Sequence, residues 1–352
     1  MLYLSGREVT SLLEHGLDQT VTAMQEVFRL IGKGQYALGG ALKASHGLQL
    51  KYRVQDETAL YIAMPGHLGG EQQLTGVKFH GPMNAALSPE RESNYLVVLT
   101  DAVTGEPLCL MNANALTAYR TAAVNILAAD YLSSESADTL GIVGPGRINT
   151  LVALGILERH PRIGKVLVLG RGTASLKAFV QSVSARYPEV KVQPAGSLQE
   201  LVIQSAVISI MTGFKFKEVA DMPRIRAQWL RPCSAVLCGA FAYFPESLLT
   251  GNCCLICDLF DMYRSYRHEL GEPAYSKLSY LGNKLADLVA SGRLPREEIH
   301  DLSAIISHPE LISRPYPRLF SGGGLALEDL MLAQILYKKA LAQGIGTALE
   351  YE

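Results

Sequence analysis

Three groups of residues in this 352-residue chain have the types and spacing that chemistry requires. The first is Gly144-Pro145-Gly146-Arg147-Ile148-Asn149, which follows an apolar run at 139–143 and opens a helix-patterned segment. Gly-x-Gly between a strand and a helix presents backbone N–H groups and the positive end of the helix dipole to a pyrophosphate. The third glycine of the full fingerprint is absent, and Asn149 holds its place. The second group is Gly170-Arg171-Gly172-Thr173, at the tip of the next strand-like run, 165–169. A carboxylate at that tip would bind the adenosine ribose hydroxyls and repel a 2′-phosphate. Arg171 stands there instead and points to NADP(H) over NAD(H), unless it only stacks on the adenine. The third group is a pair of cations in apolar surroundings, Lys78 beside Gly76 and Arg120 within Leu116-Thr117-Ala118-Tyr119-Arg120-Thr121-Ala122-Ala123. Buried cations need anionic partners. A substrate carboxylate, a cofactor pyrophosphate and an ordinary internal salt bridge all satisfy that need.

Other candidates carry weaker signals. His80 lies two residues beyond Lys78, on the same face of a strand, where it would act as an acid–base group near neutral pH or simply pack. His46 sits in a glycine-flanked loop with the same two readings. Five of the six cysteines fall late in the chain, and Cys254 and Cys257 have CxxC spacing. No second ligand pair follows at zinc-site spacing, so the segment 253–260 reads as a buried strand and no metal site is expected.

Composition narrows the function classes. Hydrophobic residues make up 48% and charged residues 18%, which is globular. The net charge of −1 and the lack of a basic block give no nucleic-acid footprint. No apolar run approaches the roughly 18 residues of a membrane span. The early polar residues Ser5, Arg7 and Glu8 argue against a signal peptide, so a reduced, cytoplasmic protein of about two domains is expected.

The elements that must position these groups follow from periodicity. One helix is expected over 8–32. Strands are expected at 48–52, 59–64, 76–79, 95–100 and 107–112, as an antiparallel or mixed sheet, and a long helix at 115–132. Strands at 139–143, 165–169, 190–192, 206–210 and 235–238 then alternate with helices at 148–158, 173–184 and 197–205, the rhythm of a doubly wound parallel sheet. Residues 262–316 hold two or three helices and a Pro-rich exit. A glycine loop, 320–324, leads into an amphipathic helix over 325–343.

Taken in order, several segments resemble the ornithine cyclodeaminase/μ-crystallin superfamily. They are Ala63-Met64-Pro65-Gly66-His67-Leu68-Gly69-Gly70, then Gly76-Val77-Lys78 with Pro82 and Asn84, Asp101-Ala102-Val103-Thr104-Gly105-Glu106-Pro107, the segment around Arg120, Gly144-Pro145-Gly146, and Gly324-Leu325-Ala326-Leu327-Glu328-Asp329-Leu330. The resemblance implies an α/β fold in which a Rossmann dinucleotide-binding domain (116–321) is inserted in an α+β substrate and dimerisation domain (1–115 and 322–352). It implies homodimers formed through the sheet of that first domain, and NAD(P)-dependent chemistry at the α-carbon of an amino acid, imine or keto acid. Carried over by position, Lys78 and Arg120 would be catalytic. Substrate would be held by Lys43, Lys78, Arg120 and Gly324. Cofactor would be held by Arg120, Thr121, Gly144, Gly146, Arg147, Ile148, Arg171, Thr173 and Gly323. Cyclodeaminases carry an acid–base Asp where this chain has Phe241, and an aromatic ring transfers no proton. Asp258 and Asp261 are the next aspartates along the chain. The resemblance therefore implies an imine reductase or amino-acid dehydrogenase. The alternatives are an opine-type dehydrogenase, an ornithine cyclodeaminase and a non-catalytic NADP-binding protein like μ-crystallin.

Overall fold

The computed structural model describes residues 1–54, 57–81, 94–212, 221–272 and 275–351. Pro82 and Asn84 lie outside them. In chain order the first part contains β1 (Leu2–Leu4), α1 (Gly6–Leu13), α2 (Leu17–Gly32), β2 (Tyr36–Leu38), β3 (Leu48–Val54), β4 (Glu57–Leu68), β5 (Leu74–Gly81), β6 (Asn94–Asp101) and β7 (Pro107–Asn112). The helix α3 (Asn114–Leu132) follows. Next come β8 (Thr139–Val143), α4 (Arg147–Arg159), β9 (Lys165–Leu169), α5 (Thr173–Arg186), β10 (Lys191–Pro194), α6 (Leu198–Gln204), β11 (Val207–Ile210) and β12 (Ala235–Cys238). The remainder is α7 (Glu246–Leu249), β13 (Cys254–Cys257), α8 (Phe260–Leu270), α9 (Leu281–Ala290), β14 (Ile299–Asp301), α10 (Leu302–Ser307), β15 (Arg318–Ser321), α11 (Ala326–Gln343) and β16 (Thr347–Ala348).

Two compact units result, Met1–Arg120 with Gly324–Glu352, and Thr121–Gly323. In the first, an eight-stranded mixed sheet runs β16-β1-β7-β6-β5-β4-β2, with β3 also paired to β4. Only the β1–β7 pairing is parallel. The helix α11 packs on β4 and β5 because two glycines stand opposite each other in register, Gly66 and Gly76. A Cβ on Gly76 would sit 2.8 Å from Leu330 Cδ2, and one on Gly66 would sit 3.2 Å from Leu327 Cδ2. Bare backbone at these positions lets the helix approach the sheet, and that approach sets the depth of Glu328 and Asp329.

In the second unit eight parallel strands run β10-β9-β8-β11-β12-β15-β13-β14. The strand order reverses direction between β8 and β11, which makes a crevice at their carboxyl ends. The strands β8, β9, β11 and β12 are almost wholly buried, as their mostly apolar sequences require.

The short strands β1, β2, β14 and β16 are not expected from the periodicity, and four larger departures stand beside them. The helix expected over 8–32 is two helices, because His15 adopts a left-handed φ of 58° and Gly16 begins a new one. The strand expected over 253–260 stops at Cys257, and a helix starts at Phe260. β15, expected only as the Pro-rich exit and glycine loop, is an interior strand between β12 and β13; four residues between Pro317 and Gly322 are too few to show a period. The first eight residues of α11, Ala326 to Ala333, are all buried, so its amphipathic pattern holds only in the second half.

Candidate active site

In the first unit the chemistry gathers where β5, β6, α3 and α11 supply side chains. Burial along β5 alternates strictly, and Lys78 and His80 share its buried face with Gly76. Lys78 is 1% exposed. Its Nζ donates to Asp329 Oδ1 at 2.8 Å and lies 4.9 Å from the centre of the Tyr95 ring. Arg120 Nε donates to the same Asp329 oxygen at 3.1 Å, and its Nη1 donates to Glu328 Oε2 at 2.8 Å. Glu328 and Asp329 are fully buried. The cations expected from sequence thus have internal anionic partners, in consecutive positions in the first turn of α11. Each cation still has N–H groups beyond those bonds, since an ammonium carries three and a guanidinium five. Asp329 Oδ2 is buried with no hydrogen-bond partner.

This clustering sets the protonation states. Burial pushes the Lys78 ammonium down to about 8, while the Asp329 carboxylate works against that fall. Burial also opposes the charge on Arg120, but Asp329 and Glu328 more than offset it and raise its pKa further. Burial, then the neighbouring Lys78 charge, pushes His80 down to about 4. Burial, then His80, Lys78 and Arg120, pushes His46 down to about 3. The shared face of Lys78 and His80 is as expected, but the expected titration near neutrality is not. His80 is a neutral imidazole stacked on Tyr95, with ring centroids 5.3 Å apart and its Nδ1 buried without a hydrogen bond.

Gly324 has a φ of 87°, and a Cβ there would collide with the Arg120 guanidinium. Its role in this cluster is to leave room for that side chain. Lys43 is exposed, in a left-handed conformation with φ 52°, and none of the cluster's hydrogen bonds or ion pairs reaches it.

In the second unit a cavity of about 950 Å³ opens at the carboxyl ends of β8, β9 and β11. Its wall includes Gly144, Pro145, Gly146, Gly170, Arg171, Gly172, Ser175, Met211 and Thr212. Gly144 has a φ of 88°, and a Cβ there would lie 2.6 Å from the Met211 carbonyl oxygen. Gly146 begins α4 without a side-chain cap, and a Cβ on it would meet nothing within 4 Å. Close backbone with open space in front of it fits a phosphate group.

Asn149 explains the missing third glycine. Its buried Nδ2 donates to the carbonyls of Val143 and Gly144 at 3.0 and 2.9 Å, and its Oδ1 accepts from Ser209 Oγ at 2.6 Å. An amide thus ties the loop between β8 and α4 to β11. Among the described residues, the cavity wall does not include Thr121, Arg147, Ile148 or Thr173. Thr121 is half-buried in α3 with its carbonyl accepting from Asn125, Ile148 is half-buried, and Arg147 and Thr173 are exposed in the first turns of α4 and α5.

The remaining carboxylates and thiols have structural contacts. Asp258 is fully buried and accepts from the backbone N–H of Leu259 at 2.9 Å and of Gly323 at 2.7 Å, so it holds the glycine loop. Asp261 pairs with Arg264 at 2.9 Å near solvent. Cys254 and Cys257 are buried in β13, and burial pushes both thiols up.

The sequence profile of the ornithine cyclodeaminase/mu-crystallin family matches residues 7–344. The chain belongs to that family. N-((2S)-2-amino-2-carboxyethyl)-L-glutamate dehydrogenase of Staphylococcus aureus is 26% identical over 82% of this chain and 81% of its own. Delta(1)-pyrroline-2-carboxylate reductase of Bacillus cereus is 25% identical over 86% and 87%. Among solved structures, the Delta(1)-pyrroline-2-carboxylate reductase of Thermococcus litoralis, in complex with NADH and L-proline, superposes with a TM-score of 0.79 at 21% identity, covering 99% of this chain and 100% of that one. Against the family pattern, Phe241 packs edge-on to Tyr280 with ring centroids 4.8 Å apart. From sequence, no role is assigned to Glu328 and Asp329, the partners of both buried cations. Their signal in the sequence is two adjacent carboxylates that interrupt the apolar start of α11, where they need buried cations.

Proposed function

We propose that this protein is a nicotinamide-dependent oxidoreductase acting on the C–N bond of an amino-acid-derived imine or amine, as a ketimine reductase or amino-acid dehydrogenase. The observation that carries this reading is the buried pair Lys78 and Arg120, each with N–H donors beyond its internal ion pairs. Such a pair suits the carboxylate of an imino or amino acid. Lys78 and Arg120 would orient that carboxylate and so fix the adjacent carbon. Glu328 and Asp329 would hold the two cations charged and in place. The bound dinucleotide would supply or accept hydride at that carbon.

The unit Thr121–Gly323 would bind the dinucleotide through Gly144, Gly146 and the first turn of α4. NADP(H) is favoured over NAD(H) by Arg171 at the tip of β9, where no carboxylate stands. The other unit would bind substrate and form the homodimer. Support for the homodimer comes from exposed and half-buried apolar residues on one sheet face among the described residues. Leu48, Ala63, Phe79 and Leu96 lie in one register row across β3, β4, β5 and β6, and Leu48 and Leu50 are 77% and 58% exposed. Exposed apolar residues grouped on one face are suited to an interface. The relative from Staphylococcus aureus favours a second reading, an opine-type dehydrogenase joining an amino acid and a keto acid.

The test is nicotinamide absorbance with NADPH or NADH and a panel of cyclic 2-imino acids, ornithine, and keto acids with amines. Turnover of cyclic imino acids is the expected result. Turnover only with keto acid and amino acid pairs selects the second reading. Tight dinucleotide binding with no turnover on any pair contradicts both.

A further inference from the structure

We propose that Arg224 and Arg226 join Arg171 in a phosphomonoester site on the cavity wall of the unit Thr121–Gly323, and that this site reads the 2′-phosphate of an adenine dinucleotide. The proposal rests on the reading of that cavity as the dinucleotide site. A phosphomonoester carries a charge of about −1.5 to −2 near neutral pH. One guanidinium leaves much of that charge uncompensated, and two or three provide bidentate contacts on several oxygens.

Arg171, Arg224 and Arg226 all line the same cavity. Arg224 and Arg226 are exposed, and neither has a carboxylate partner among the described residues. Other arginines of the same unit do have carboxylate partners: Arg159, Arg186, Arg231, Arg264 and Arg293 pair with Asp130, Glu158, Asp138, Asp261 and Glu246. Asp221 is a carboxylate on the same wall, against three arginines.

The two guanidiniums are held by aromatic faces instead. Arg224 lies 4.1 Å from the Tyr243 ring centre and Arg226 lies 5.3 Å from that of Trp229. Stacking fixes the plane of a guanidinium while leaving its in-plane N–H donors for an anion. The backbone beneath is fixed too. Arg224 forms a parallel bridge with Tyr243; Ile225 N donates to Tyr243 O at 2.9 Å, and Tyr243 N donates to Pro223 O at 2.8 Å. Met222 and Ile225 are buried on either side of Arg224 and anchor the segment. The result is a pre-positioned wall that sets three arginines against one carboxylate, facing the space that a dinucleotide would fill.

The experiment is a titration of the wild-type chain, Arg224→Gln, Arg226→Gln and the double variant with NADPH, NADH, 2′,5′-ADP and 5′-AMP. Circular dichroism confirms that each variant is folded. The wild type is expected to bind NADPH about tenfold or more tightly than NADH, with a preference that shrinks as salt is added. The double variant is expected to lose about tenfold or more for NADPH and 2′,5′-ADP, and no more than about twofold for NADH and 5′-AMP. Arg224→Lys, which keeps the charge, is expected to retain most of the preference. Equal losses for NADPH and NADH, or no loss for either, overturn the proposal. Tight NADH binding by a wild type that does not prefer NADPH overturns it as well, and leaves the dinucleotide reading standing. A wild type that binds neither dinucleotide overturns both.

Discussion

The two units handle charge in opposite ways. Around Lys78 every charge has an internal counter-charge: two cations meet two carboxylates, all buried, at 2.8 to 3.1 Å. Around the Gly144–Gly146 loop the wall includes bare glycine backbone and three exposed arginines against one carboxylate, Asp221, and two of those arginines have no carboxylate partner among the described residues. The first arrangement keeps a lysine charged where burial alone would neutralise it. The second leaves an excess of cations, three arginines against Asp221, and so is suited to capture an anion from solution. A site that must hold a charge through a reaction needs internal partners. A site that must bind a polyanion does better without them.

The comparison breaks first at Lys78. Lys78→Met should lower turnover by about 10²–10³-fold while dinucleotide affinity changes by no more than about twofold. It should also cost about 3–5 kcal/mol in urea unfolding, since it leaves Asp329 and Glu328 buried beside one fewer cation. Unchanged rates would remove Lys78 from the mechanism.

Two glycine substitutions sharpen the contrast. Gly324→Ala forces a left-handed residue into the Arg120 guanidinium, and should cost about 1–3 kcal/mol of stability and roughly tenfold in kcat/KM. Gly146→Ala has an ordinary φ of −89° and open space, so its unfolding midpoint should hardly move. Its methyl group would stand where the phosphate must approach, and dinucleotide affinity should fall by about tenfold. Equal stability losses in the two variants would erase the distinction.

A third expectation concerns pH. If charged Lys78 binds the substrate carboxylate, kcat/KM should fall as pH rises through about 8. Asp329 raises the Lys78 pKa, so Asp329→Asn should move that limb to lower pH; a limb that stays in place contradicts the link. Stability should change in the other direction. A lysine whose pKa is lower in the folded chain makes the unfolded chain bind more protons between about 8 and its ordinary value, so this contribution to stability rises over that window.

The smallest expected effect is at acid pH. His46 and His80 titrate at about 3 and about 4 in the fold, below their ordinary value of 6.5. Their contribution to stability is present above 6.5 and is lost as pH falls toward those values. His80→Asn should flatten the slope of unfolding free energy between pH 6.5 and 4 relative to the wild type. An identical slope would mean that His80 titrates normally.

Much of the fold is visible in sequence because it rests on long periodic segments. The alternation of β8, α4, β9 and α5 shows in the spacing of apolar residues, and the shared face of Lys78 and His80 on β5 shows in their two-residue separation. The glycine loop is visible because its local backbone geometry needs those residue types. What stays hidden depends on distant partners. β15 has four residues and gains its place from β12 and β13. Asp329 lies 251 positions from Lys78, so pattern alone cannot name that pair. His80 has the right spacing for acid–base work, and only its burial beside Lys78 shows that it stays neutral.

The central claim is that hydride passes between a nicotinamide and the carbon of a carbon–nitrogen bond. Its most direct test uses NADPH deuterated at the transferring position of the nicotinamide, with a cyclic 2-imino acid as substrate and mass spectrometry of the product. The account predicts one deuterium in each product molecule, on the carbon that carried the C=N bond. Product without deuterium there, or dinucleotide that stays unoxidised across the substrate panel while bound, would contradict it.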